Sequence, residues 1–171
     1  MEYEDGRVRK LAEQLVAKEV AAADRAAILQ GGEQIDRRTS PAQKAKWLVE
    51  AMDRMDQLVE PETRQGIREA CACCKGGLRY KQSKAIFKMG NSLEERIALA
   101  NESKLVFGHS VMRLPDGRIK VSFGPDDLPS YRCVCLPKAE GPVSPTYCLC
   151  CLGHVRHHLQ TALGENLKGA L

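Results

Sequence analysis

Apolar positions recur along the first third of the chain at the spacing of an α-helix. Between Arg7 and Gln30, Val8, Leu11, Leu15, Ala22, Ala26 and Leu29 fall near one face among strong helix formers, which predicts one helix closed by Gly31-Gly32. Lys18 and Glu19 interrupt this stripe, so the helix is expected either to pack loosely or to pack against a protein partner or a second copy of the chain. Ser40 followed by Pro41 is an N-cap with proline at the first helical position. The stripe Ala45, Leu48, Val49, Met52, Met55 and Val59 then predicts a second helix, with Trp47 and the methionines read as core.

A third helix is expected from Pro61, carrying Ile67, Ala70, Cys71 and Cys74 on its inward face until Gly76-Gly77 stops it. The basic segment Leu78 to Met89 predicts a fourth. After the break at Gly90-Asn91, Ser92-Leu93-Glu94-Glu95 has the capping-box pattern of a fifth, reaching about Glu102. The period then changes. Leu105 to Leu114 and Arg118 to Phe123 read as two strands around Pro115-Asp116-Gly117, with Ile119, Val121 and Phe123 alternating against polar neighbours. A proline-rich loop follows Gly124, and a last helix is expected from Leu149 to Leu163, closed by Gly164, with Leu152, Val155, Leu159 and Leu163 as its buried stripe.

The fold class expected is therefore α+β: an N-terminal helical half packed with a small antiparallel sheet and a C-terminal helix, with a cysteine-rich loop between. A boundary near 103/104 divides a helical region, 1–103, from the sheet, loop and last helix, 104–171. The length of 171 residues suits one ordinary domain or two small lobes.

The net charge of +4 comes from 26 basic and 22 acidic residues mixed along the chain, a balance that argues against a nucleic-acid footprint. No apolar run approaches the length of a membrane span, and the opening MEYEDGRVRKLAEQ lacks the order of a secretory signal, so a cytoplasmic location is expected. In that compartment thiols stay reduced. Eight cysteines then point to metal ligation or thiol chemistry rather than to a disulfide framework.

Those cysteines are unevenly placed. Five of the eight lie between Cys133 and Cys151, the other three form Cys71-Ala-Cys73-Cys74, and the first seventy residues have none. Cys71-x-x-Cys74, Cys133-x-Cys135 and Cys148-x-Cys150 are short-spaced sets, each delivering two ligands from one ordered segment. Thiolates suit zinc, or iron and sulfur in a cluster, although neither the usual zinc-ribbon nor the ferredoxin spacing is present. The expectation is one centre, holding zinc, with ligands among Cys71, Cys74, Cys133, Cys135, Cys148 and Cys150 and sulfur–metal distances of about 2.3 Å. Cys73 and Cys151 are expected outside it, and an iron–sulfur or redox-sensing regulator is an alternative. On an extended strand Cys133 and Cys135 would point to opposite faces, so the chain must bend there, as Pro129 and Pro137 would permit.

No phosphate-binding loop, Ser/His/Asp order or paired-carboxylate motif accompanies the cysteines. An enzymatic alternative rests on Cys148 or Cys150 near a helix N-terminus, activated as nucleophile or redox thiol, with His154 as base one turn away. His154, His157 and His158 otherwise read as the solvated side of the last helix, and His109 as structural.

Tyr147-Cys148-x-Cys150 followed by Gly153 and a helix ending Ala162-Leu163-Gly164, with Cys133-x-Cys135-Leu136-Pro137 before it, resembles an uncharacterised group of small prokaryotic cysteine-rich proteins. The likeness covers roughly the last hundred residues. It implies that the six candidate cysteines belong together and brings no activity with it. Chains of that group continue past the helix into further strand, whereas this sequence ends at Leu171.

Overall fold

Local chemistry sets most of the element boundaries in the computed structural model, which describes residues 3–128 and 133–171. The Asp5 carboxylate caps α1 (Gly6–Ala17) by accepting from the Arg7 and Val8 amides. That helix stops well short of the expected Gln30. Glu19 has a φ of +55°, and the amides of Lys18, Glu19 and Val20 turn back onto Gln14, Val16 and Leu15. A separate α2 (Ala22–Ile28) follows, then Gly31 at φ +76° leads into a 3-10 turn over Gly32–Gln34. The interrupted stripe at Lys18-Glu19 is thus a helix break. Gly32 is packed so tightly that a Cβ there would meet both Trp47 and Val8 at 2.9 Å.

Ser40 and Gln43 form a reciprocal capping box at the start of α3 (Pro41–Leu58). Pro61 opens α4 (Pro61–Ala70), whose last turn closes through the Cys71 amide, so residues 72–74 lie outside the helix that was expected to carry Cys74. The chain restarts at α5 (Gly77–Met89). Ser92 then caps α6 (Leu93–Glu102) through the Glu95 amide, while the Glu95 carboxylate takes the Asn91 amide rather than that of Ser92. The first part of the expected strand 105–114 is a helical turn, α7 (Lys104–Phe107), because burying Val106 and Phe107 together requires a turn and Gly108, at φ +78°, ends it. β1 (Ser110–Arg113) and β2 (Ile119–Ser122) pair antiparallel with Val111 opposite Val121. The last helix, α8 (Pro145–Leu163), starts a turn earlier than expected and closes at Gly164, φ +77°. The α+β class holds.

Contacts divide the chain into two units. The first contains the described residues of Met1–Ala72, Arg132–Gly153 and Leu171. Its core joins Val8, Leu11 and Leu15 of α1 with Ala51, Met52 and Met55 of α3, Ile67 of α4, and Leu136 and Tyr147. The second contains those of Cys73–Tyr131 and His154–Ala170. There Ile86, Ile97, Ala100, Val106, Phe107 and Val111 enclose Val155, Leu159, Ala162 and Leu163. The expected stripe of the last helix is buried throughout, and no helix among the described residues is long and apolar enough to cross a membrane.

Candidate thiol centre

Two structural features hold the cysteines of the first unit in place. Asp56 on α3 accepts hydrogen bonds from Ser144 Oγ and Thr146 Oγ1, both at 2.5 Å, and from the Arg64 guanidinium, which fixes the start of α8. Ser144 Oγ also accepts from the Thr146 amide, as an N-cap would. Further along, Gly153 passes α4 so closely that a Cβ would stand 2.4 Å from the Glu69 carbonyl oxygen. Between these points lie Cys148, Cys150 and Cys151. The loop bearing Cys133 and Cys135 does bend: the Leu136 amide donates to the Cys133 carbonyl, closing a turn, and Leu136 is buried. Pro129 lies outside the described residues.

The result is a set of six thiols, all reduced, from three segments of the first unit. Cys151 has one S–H to place between Cys135 and Cys150, and these two neighbours, with burial, push its own thiol far up. Cys133 donates to Cys135 and is likewise raised by that bond and by burial. Cys148 is raised by burial and by the neighbouring Cys150, and it also senses Cys135. Cys71 is raised first by burial, with Cys150 adding to the effect. Cys150 moves the other way, down to about 7, because the Cys151 S–H and the nearby Arg68 guanidinium favour its thiolate against the cost of burial. All of this group are partly buried.

Arg68 is a buried cation beside this cluster, only 5 % exposed. Its guanidinium donates to the carbonyls of Thr146 and Tyr147 at 3.3 and 3.1 Å and lies 5.0 Å from the Tyr147 ring centroid. It stands near enough to Cys71, Cys148 and Cys150 to favour the thiolate of each. The Tyr147 hydroxyl is pushed up by burial and by Cys150. Sequence reading passed over Arg68, although its place three residues before Cys71 on a helix puts both on neighbouring positions of one face.

Of the six expected ligands, Cys74 alone is not in the first unit. Cys73 and Cys74 belong to the second unit, their sulfurs 3.6 Å apart. The Cys74 carbonyl accepts from His158 Nε2 at 2.8 Å and stands 3.0 Å from His154 Nδ1. His158, expected on the solvated side, is fully buried, with Nδ1 2.9 Å from Ser83 Oγ. Its pKa is pushed down to about 4, chiefly by burial. His154 has a second carbonyl, that of Val106, 3.1 Å from Nε2, and is also lowered by burial. A neutral imidazole has one N–H, so His154 can satisfy only one of its two acceptors at a time. These histidines act as struts of the second core, which corrects their reading as surface groups.

As donors, the six sulfurs fit a soft cation, and the buried guanidinium offsets part of the negative charge they would carry as thiolates. Among the described residues, no three His, Cys, Asp or Glu side chains already stand in a coordinating arrangement. The present arrangement is one of S–H···S contacts, in which the sulfurs would have to close around an ion. No protein-family model, no curated protein and no solved structure matches the chain.

Proposed function

We propose that the chain is a metal-binding protein of the cytoplasm whose cysteine thiolates hold one zinc ion, the four ligands drawn from Cys71, Cys133, Cys135, Cys148, Cys150 and Cys151. One observation carries the reading: thiols from three separate segments lie close enough to act on one another, Cys71 with Cys150 and Cys135 with Cys148, Cys150 and Cys151. Six thiols, three of them beside a buried cation, are far more than a hydrophobic core requires, and a thiolate metal site supplies on the order of 10 kcal/mol to a fold that gathers its ligands. The cytoplasm is favoured because all eight cysteines are free.

Elemental analysis of protein purified without oxygen tests the proposal. About one zinc per chain is expected, lost in Cys135→Ser and Cys150→Ser and retained in Cys73→Ser. Folded protein that carries no metal and takes up none overturns it, and a coloured, iron-containing protein replaces zinc with an iron–sulfur centre. A second reading is a thiol nucleophile or redox role for Cys150, favoured by the S–H it accepts from Cys151 and by Arg68. Pulsed alkylation of chelator-treated protein tests it: one thiol reacting well ahead of the others supports the role, and uniform rates remove it.

A further inference from the structure

The charge of the chain is not shared evenly between its units. The second holds 12 Lys and Arg against 7 Asp and Glu, net +5, while the first holds 14 against 15, net −1. Within the second unit the cations gather on one element. Lys75, Arg79, Lys81, Lys84 and Lys88 lie on or just before α5, which contains no acidic residue. Ser83 and Ile86 are the buried positions of this helix, and Ser83 Oγ donates to the Arg79 carbonyl. At 100° per residue Lys81, Lys84 and Lys88 fall within a sector of about 60° on the opposite side. All three are exposed.

Aromatic and apolar side chains border this lysine row. Tyr80 and Phe87 lie along one edge, 38 % and 43 % exposed, and Leu78 and Met89 along the other, 69 % and 63 % exposed. The Lys84 ammonium stands 5.4 Å from the Tyr80 ring centroid, and His157 of α8 stacks on that ring at 5.9 Å and 20°. The surface therefore offers a row of cations with ring systems beside it.

We infer that the exposed face of α5 binds single-stranded nucleic acid, with Lys81, Lys84 and Lys88 on the phosphates and the Tyr80 edge against a base. This inference is independent of the thiol centre. The order of groups across the face selects the partner. A helix lying in a membrane surface puts its apolar residues at the centre of the buried face and its lysines at the margins, whereas here the lysines are central and the apolar groups marginal. An acidic peptide would engage the cations alone, whereas a single strand would also set a base against the exposed part of Tyr80, a ring that already meets Lys84 and His157.

The test is fluorescence anisotropy of a labelled 20-nucleotide oligo(U) with the full-length protein. Binding is expected in low salt, with the logarithm of affinity falling linearly with the logarithm of salt. The triple variant Lys81→Gln/Lys84→Gln/Lys88→Gln should weaken binding at least tenfold in low salt and reduce the salt slope by about 2, three contacts at about 0.7 each. Because these side chains are exposed, the variant should keep its circular dichroism and its metal content. Tyr80→Ala should weaken binding by about tenfold with the salt slope unchanged. Absence of binding, or affinity unmoved by the triple variant, overturns the assignment. So does equal binding to an RNA duplex of the same length, equal competition by a poly-glutamate peptide, or tighter binding to anionic phospholipid vesicles.

Discussion

A Cβ on Gly153 would lie 2.4 Å from the carbonyl oxygen and 2.7 Å from the Cα of Glu69. Glycine in mid-helix ordinarily costs about 1 kcal/mol relative to alanine, so propensity alone would favour Gly153→Ala. The contact is with backbone, which cannot swing aside as a side chain does. Gly153→Ala should therefore destabilise the protein by about 1–3 kcal/mol, read by urea unfolding. A gain in stability would show that α4 and α8 do not approach as described.

Asp56 receives Ser144, Thr146 and Arg64 on one carboxylate. Asp56→Ala should cost about 2 kcal/mol, since hydrogen bonds to a charged group are the stronger kind and two hydroxyls lose their acceptor. Loosening the start of α8 should also speed alkylation of Cys148. Unchanged stability together with unchanged Cys148 reactivity would remove Asp56 as the anchor.

The buried His158 gives the fold an acid limit. Its folded pKa of about 4 lies below the ordinary value of 6.5, so in that interval the unfolded chain binds the proton and the folded one does not. Stability should be full above pH 6.5 and decline as pH falls towards 4, with His154, shifted in the same direction, adding to the loss. The effect of His158 is on the order of 3 kcal/mol. Unfolding by denaturant, measured at half-unit steps, should show this slope, and His158→Leu should flatten it. A slope of opposite sign would mean that His158 is held protonated.

Arg68→Met should keep much of the packing over Tyr147 while removing the cation beside Cys71, Cys148 and Cys150. The thiolate of Cys150 then loses support, so its alkylation midpoint should move upward from about 7 and its rate at neutral pH should fall. Mass spectrometry of the alkylated, chelator-treated protein reads this residue by residue. An unmoved midpoint would leave the Cys151 S–H as the sole cause.

The sequence was most legible where local chemistry and tertiary burial agree. Ser40-Pro41 announced α3, Ser92 announced α6, Gly117 at φ +86° turned the hairpin, and the stripe Leu152, Val155, Leu159 and Leu163 is buried. It was least legible where a distant partner decides. Residues 72–74 leave the helical pattern while the Cys74 carbonyl takes the imidazoles of α8, and Val106-Phe107 reads as strand by composition yet forms a turn to bury both side chains. At the thiol centre, spacing drew attention to the three segments but not to Cys151. Position on one helix cannot say that Cys135, sixteen residues away and on a turn, lies beside it.

That contact between Cys151 and Cys135 also limits what oxidation could do to the chain. Adjacent Cα atoms are about 3.8 Å apart, closer than the usual span of a disulfide, and a helix holds Cys150 and Cys151 in that relation, so the two are poorly placed to join each other. The neighbouring thiol that Cys151 meets outside α8 is Cys135 on the loop. A Cys135–Cys151 link would close about sixteen residues into a ring and take about 3 kcal/mol of freedom from the unfolded chain. Loss of two electrons from this pair would thus convert a centre organised by shared protons into a covalent tie, leaving the other four thiols of the group with their donor atoms intact.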